Sequence, residues 1–378
     1  MHNETSPRPA TSGVYFLACR QRAKAHDLAA QRDVARRLAA LLGAVYQGDL
    51  DASAPLPQGG YLVPNDTLTS LEAARRLGLH SEIDLFGGVV PQPFIATKVI
   101  SHGRLTRDSV APHGWVDAFS ERVGDAVLPG FSAFSLDDSR RAGRLLLADG
   151  PVRVKAAGDS GGAGQVVVRD VAGLEESLVA LGAAIEQEGV VLERDLARAR
   201  TYSIGLLQLG ATLRACYFGT QHNTPNRHGQ QVYGGSSITL FRGGFDVLEA
   251  QARGDAGLRC AVALARRYHE AALACFVGMF ASRCNYDVVL GEDERGRPFA
   301  GVLEQSWRIG GASGAEMAAL QRLLDDPRAV PVRAETVERY GAPPDAVPAD
   351  AIVSYAGNDP EAGPIVKYTL VHDHDDGA

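Results

Sequence analysis

Residues 152 to 170 read VRVKAAGDSGGAGQVVVRD, with four glycines in the seven positions from Gly158 to Gly164. Two β-branched runs flank them, and Lys155 stands just before them. A lysine that precedes its glycines is incompatible with a Walker A loop, in which lysine follows them and a helix begins. A dinucleotide fingerprint also requires a helix after the loop, whereas QVVV favours a strand. What remains is a glycine-rich flap joining two antiparallel strands. Gly161, Gly162 and Gly164 have no Cβ to keep the backbone amides from phosphate oxygens, and Lys155 supplies a point charge for them. A protein-kinase flap places its lysine afterwards, and no HRD or DFG element occurs. A hairpin that binds nothing is the alternative reading of these residues alone.

The chain has 378 residues, which suits two or three packed units rather than one core. Its net charge of -7, with no basic stripe, argues against a nucleic-acid partner. The five cysteines form no CxxC pair and no zinc-type spacing, and suggest reduced thiols and a cytoplasmic location. No apolar run approaches a membrane span, and GVYFLAC near the start reads as a first strand.

Strands and helices alternate at first: GVYFLA, a helix carrying Val34, Leu38, Leu41 and Val45, GGYLVP, and LTSLEAARRLGL. Such alternation predicts an α/β layer with a parallel sheet. After residue 98 come a helix with Ser135 as N-cap, the flap hairpin, and a helix with Leu174, Leu178, Leu181 and Ile185 on one face. VVLERDL follows, then a hairpin turning at Gly210, a long polar loop from 220 to 237, a helix over about 258–277, and a last hairpin. The expected units are 1–97, 98–190, 191–322, and a C-terminal extension with an acidic tail over 323–378. His372 and His374 in the tail could bind a metal, but a disordered acidic end is the favoured reading, and the polar loop with His222, Asn223, Arg227 and His228 could hold substrate yet needs no function.

The last hairpin is NYDVVLGEDERGRPFAGVLEQSWR. A turn centred between Arg295 and Gly296 sets Asp287 opposite Glu304, with Cβ atoms roughly 5 Å apart. Two carboxylates so placed repel unless a cation lies between them. Alternation adds Ser306 and Arg308 to the face of Glu304 and sends Gln305 and Trp307 to the other. The set suits Mg²⁺, which takes one or two carboxylates together with phosphates. A solvated hairpin with an Arg308–Glu304 salt bridge is the plainer alternative.

In this order, the pieces resemble the ATP-grasp superfamily over about residues 90 to 315, in particular a proteobacterial branch distantly similar to biotin carboxylase and the carboxylate–amine ligases. The resemblance implies an α/β N-terminal Rossmann-like unit followed by α+β ATP-grasp subdomains with antiparallel sheets, holding ATP and Mg²⁺ in their cleft. It implies that Lys98, Lys155, Gly161, Gly162 and Gly164 serve the phosphates, and Glu193 and the backbone at Leu196 the adenine. Asp287, Glu304 and Ser306 are then the metal ligands, and Arg308, with Lys155, the catalytic pair. Ser306 departs from the asparagine usual there, and Thr201 from an acidic ribose contact.

The activity implied is that of an ATP-dependent ligase that activates a small-molecule carboxylate as an acylphosphate for attack by an amine or thiol. No nucleic acid and no membrane is expected, and a homodimer is the candidate assembly. Biotin-carboxylase-like carboxylation is one rival; it requires a separate carrier, since no AMKM segment occurs. A non-catalytic nucleotide-binding sensor is the other.

Overall fold

The computed structural model describes residues 11–20, 23–158, 164–343 and 347–372. Its N-terminal unit contains β1 (Gly13–Leu17), α1 (Ala25–Leu41), β2 (Val45–Asp49), β3 (Gly60–Pro64), α2 (Leu71–Arg76) and the two-residue β4 (Gly88–Val89). The first three strands are parallel in the order β2-β1-β3, with α1 as crossover. Helix α1 buries Val34, Ala35, Leu38 and Ala39. It does not run on to Val45 as the apolar spacing suggests. Gly43 adopts φ +64°, a conformation that ends helices, and Val45 begins β2 at 62% exposure.

After α3 (Asp117–Val123) comes a four-stranded antiparallel sheet of β5 (Gly130–Ala133), β6 (Val152–Ala156), β7 (Gln165–Val168) and β8 (Val190–Arg194), in the order β5-β8-β6-β7. The two runs flanking the glycines are indeed antiparallel neighbours, with Lys155 opposite Gln165. Helix α4 (Leu136–Leu147) is capped by Ser135, whose Oγ accepts from Asp138 N–H. Helix α5 (Val171–Leu181) is shorter than its apolar face implies, because Gly182 at φ +52° breaks it before the single turn α6 (Ala184–Gln187). Leu146, Leu174 and Leu178 pack on Val152, Val154 and Leu192.

An eight-stranded antiparallel sheet forms the rest. It comprises β9 (Arg198–Leu209), β10 (Leu213–Pro225), β11 (Gln231–Arg242), β13 (Arg283–Glu292), β14 (Pro298–Ser306), β15 (Val332–Tyr340), β16 (Ile352–Asp359) and β17 (Gly363–His372). Their order is β14-β13-β9-β10-β11-β15-β17-β16. Helices α7 (Phe245–Gln251) and α8 (Ala256–Cys275) lie between β11 and β12 (Phe280–Ala281), which pairs with β4. Helix α9 (Ser313–Asp325) follows β14.

Alternation gives this sheet two buried faces. Cys216, Tyr286 and Val288 share a core with α8, whereas Leu207, Tyr217 and Leu240 share one with α9 and α1. Two stretches differ from expectation. The polar loop after residue 220 is mostly strand, since β10 and β11 stay paired out to Pro225 and Gln231 and leave a short turn. Paired backbone satisfies its own donors and acceptors whatever the side chains are. The stretch after residue 323 is not an appendage: β15, β16 and β17 complete the large sheet.

Candidate functional site

The β13–β14 hairpin turns at Glu294–Gly296, where the Asp293 carboxylate accepts from the N–H groups of Arg295 and Arg297 at 2.9 Å each. Leu290 pairs with Ala300 and Gly291 with Phe299, so the turn is centred on Arg295 itself. A β-bulge at Leu303 then adds one residue to β14. Asp287 consequently stands opposite Glu304, as the sequence implied, but through two half-steps that compensate.

Asp287 points to the face that carries Ser203 of β9, its direct partner. Its carboxylate accepts from Ser203 Oγ–H (2.8 Å), Asn285 Nδ2 (3.0 Å) and Gln221 Nε2 (3.0 Å to Oδ2). Burial, then the charge of Glu304, raises its pKa above the usual carboxylate range. Glu304 pairs with Lys98 Nζ at 3.3 Å. Lys98 is thus beside the carboxylate pair, and the Arg308–Glu304 bridge does not form.

Ser306 sits at the end of β14 opposite Asn285. Arg283 Nη1 donates to its Oγ at 3.3 Å. Arg283 is itself held by Glu316 of α9, at 2.7 Å from Nη2, and both are buried. Tyr217 O–H lies 2.8 Å from Glu316 and 3.0 Å from Asn285 Oδ1. A continuous polar network therefore runs from α9 to the donors around Asp287. Gln305 and Trp307 take the opposite face, as alternation requires. Gln305 Nε2 donates to the carbonyls of Ile95 (3.1 Å) and Thr97 (2.8 Å), clamping the segment that carries Lys98.

Lys98 begins a single 3₁₀ turn ending at Ser101, followed by His102. His102 Nε2 lies 3.1 Å from Glu193 Oε2, and Lys155 Nζ 2.5 Å from Glu193 Oε1. Five residues thus link the carboxylate pair on the large sheet to the flap lysine on the small one. Burial would raise the Glu193 pKa, but Lys155 and the His102 hydrogen bond outweigh it and bring the carboxyl down to about 2. Glu193 is only 1% exposed. In this structure Glu193, which the resemblance assigns to the adenine, is the counter-charge of Lys155.

Gly164 adopts φ +63°, and its carbonyl accepts from Ala156 N–H at 3.0 Å, closing the base of the flap. Gly161 and Gly162 lie outside the described residues. Leu196 packs with Leu128 and Val289 between the sheets, while the amides of Asp195 and Ala197 bond to the carbonyls of Pro151 and Glu292. Arg308 Nε lies 3.5 Å from Asp66 Oδ1, and Arg20 Nε 4.0 Å from Asp66 Oδ2. Asn65 Oδ1 accepts from the N–H groups of Cys19 and Arg20. These residues follow the carboxyl ends of β1 and β3, where open parallel sheets hold ligands.

Two opposed, half-buried carboxylates, one with its pKa raised, fit a divalent cation, since Mg²⁺ takes one or two carboxylates plus phosphate oxygens. Asp287 and Glu304 would hold it. Ser306 can add only the lone pair that Arg283 does not use. Among the described residues, no three His, Cys, Asp or Glu side chains gather as a metal-binding group. Burial pushes the Cys216 and Cys284 thiols up to about 12, which makes them core residues rather than nucleophiles. No helix among the described residues is long and apolar enough to cross a membrane.

Sequence reasoning missed Ser203, Gln221, His102 and the Arg283–Glu316 pair. Asn285 was within reach, two residues before Asp287 and so on its face.

A family model described as "Protein of unknown function (DUF3182)" matches residues 14–369. No curated protein matches the chain. Among solved structures, it is similar to N5-carboxyaminoimidazole ribonucleotide synthetase in complex with ADP, at TM-score 0.51 and 14% identity, over 97% of this chain and 94% of that one. Biotin carboxylase from Campylobacter jejuni gives TM-score 0.52 and 11% identity, over 96% and 87%. Phosphoribosylamine–glycine ligase from Thermotoga maritima gives 0.50 and 14%, over 94% and 91%. The fold is that of the ATP-grasp enzymes.

Proposed function

The chain belongs to the DUF3182 family, and from that family's ATP-grasp fold and this cleft we propose an ATP- and Mg²⁺-dependent ligase that activates a small-molecule carboxylate for attack by an amine or thiol. The observation that carries the reading is the opposition of Asp287 and Glu304 beside Lys98. Carboxylates opposed on one face disfavour each other's ionisation, and a divalent cation between them relieves that repulsion.

Lys98, Lys155 and the amides of the flap glycines Gly161, Gly162 and Gly164 bind phosphate oxygens and offset their charge. Glu193 and His102 hold Lys155 in place, and the backbone around Leu196 meets the adenine. Asp287 and Glu304, with Ser306 nearby, would hold Mg²⁺, which would supply further neutralisation of charge on the transferring group. A substrate carboxylate oxygen attacks the γ-phosphorus as the bond to the β,γ-bridging oxygen breaks, and ADP leaves with the electron pair. The amine or thiol then attacks the acyl carbon, loses its proton, and displaces inorganic phosphate. Arg308, beside the carboxyl ends of β1 and β3, holds the carboxylate and then the acylphosphate.

A nucleotide sensor without turnover is favoured by one observation: Arg283 and Lys98 already supply positive charge at Ser306 and Glu304. The two readings separate in one assay. ADP release is followed with Mg²⁺-ATP and a panel of carboxylic acids crossed with amines and thiols. The ligase reading expects release that needs one acid and one nucleophile together; binding of ATP with no release from any pair overturns it.

A further inference from the structure

The reverse face of the large sheet carries a second concavity, of about 270 Å³, away from the carboxylate pair. Its floor is Tyr202 of β9, Phe218 and Thr220 of β10, and Ser237 and Thr239 of β11; Arg200, Arg333 and His372 line its rim. The registers explain the cluster. Ser203 pairs with Gly219, which brings the adjacent Tyr202 and Thr220 to one end of the β9–β10 ladder; Thr220 pairs with Ser237, while Phe218, Thr239, Arg333 and His372 form the adjacent row.

The two arginines of this groove are unpaired among the described residues. Arg200 lies 4.6 Å above the Tyr202 ring, and neither Arg200 nor Arg333 has a carboxylate partner among the described residues. The two nearby carboxylates are engaged. Asp255 caps α8 through Leu258 N–H, and Glu335 meets Ser237 Oγ at 3.3 Å and His372 at 3.6 Å. Two unpaired arginines and the hydroxyls of Thr220 and Thr239 therefore surround two aromatic faces. That chemistry suits an anion attached to a flat apolar body, since guanidinium groups pair with carboxylate or phosphate and the rings take the body.

We propose that this groove is an effector site for a small organic anion. Alternation links it to the carboxylates. Tyr202 and Thr220 face the groove, while their neighbours Ser203 and Gln221 turn to the other face and hold Asp287. An anion drawn onto Arg200 and Arg333 bears on the two strands that position Asp287.

The test uses phenyl phosphate as probe, titrated calorimetrically into the full chain. The expected result is one site, weakened roughly tenfold by either Arg200→Ser or Arg333→Ser, the loss of one charge-assisted contact. Glu304→Gln should leave the affinity unchanged, and inorganic phosphate should bind more weakly because it lacks the ring. Absence of binding at millimolar probe overturns the site, as does binding lost in Glu304→Gln but retained in Arg333→Ser. Equal affinity for inorganic phosphate overturns the organic-anion class. The effector role rests on the proposed function: saturating phenyl phosphate should shift the Mg²⁺-ATP affinity of the parent and not of Arg333→Ser, and no shift in the parent overturns that role while leaving the binding result intact.

Discussion

Lys155 and Glu193, on the neighbouring strands β6 and β8, meet with Nζ 2.5 Å from Oε1, and both side chains are almost wholly buried. A phosphate-binding lysine on an exposed flap would contribute little to folding. This one belongs to the core of the small sheet. Glu193 fixes its orientation, which under the proposed function lowers the ordering cost of nucleotide binding.

Lys155→Ala should destabilise the nucleotide-free protein by about 3–5 kcal/mol, because Glu193 is left buried without its cation. The double variant Lys155→Ala with Glu193→Gln should recover much of the loss. Chemical denaturation of the three proteins measures this; a Lys155→Ala midpoint equal to that of the parent refutes the ion pair.

The Glu193 carboxyl, lowered to about 2 in the fold, predicts a specific acid dependence. A depressed pKa adds stability that is full above the unfolded-chain value of about 4.3 and is lost as pH falls toward 2. The difference amounts to about 3 kcal/mol. Unfolding free energies of the parent should therefore fall between about pH 4.5 and 2. Glu193→Gln should fall less steeply, and parallel curves for the two would count against the assignment.

Asp287 is shifted the other way, upward, by burial and then by Glu304. Its charged form is disfavoured in the metal-free fold, so at neutral pH it detracts from stability. Asp287→Asn should raise the metal-free melting temperature at pH 7 while removing stabilisation by Mg²⁺-ATP. In the parent, that stabilisation should reach roughly 2.7 kcal/mol at a hundredfold the dissociation constant. A variant still protected by Mg²⁺-ATP shows that the cation is held elsewhere.

Glu304 is partly exposed and pairs with Lys98, whose side chain is only 3% exposed, so Glu304→Gln should lower metal-free stability by about 1–3 kcal/mol. The same change should abolish Mg²⁺-dependent ATP binding. Melts with and without Mg²⁺-ATP separate the two effects, and a mutant stabilised as much as the parent would be inconsistent with a metal ligand.

Arg283 and Glu316 form a buried pair that reaches Ser306. Arg283→Met should cost about 3–5 kcal/mol by leaving Glu316 uncompensated. Arg283→Met with Glu316→Met should regain stability yet keep weakened Mg²⁺-ATP binding, since Ser306 loses Arg283 and Tyr217, the partner of Asn285, loses Glu316. Normal ATP affinity in the double variant would reduce the network to a purely structural one.

Local signals were legible in the chain because they act over a few residues. The order of strands and helices, the antiparallel strands around the glycines and the shared face of Asp287 and Glu304 all follow from periods of 2 and 3.6 and from glycines that stop an element. The Leu303 bulge was invisible, and the opposition survived only because the turn centre moved with it. Which charges meet was decided by the tertiary structure. Glu193 reads as a polar residue on a strand, and nothing in VVLERDL says that Lys155 and His102 will enclose it. Glu316 reads as one helical carboxylate among many, until α9 is laid against β13 and Arg283. Ion pairing depends on distance and on exclusion of water, and both are fixed by packing between segments far apart in sequence.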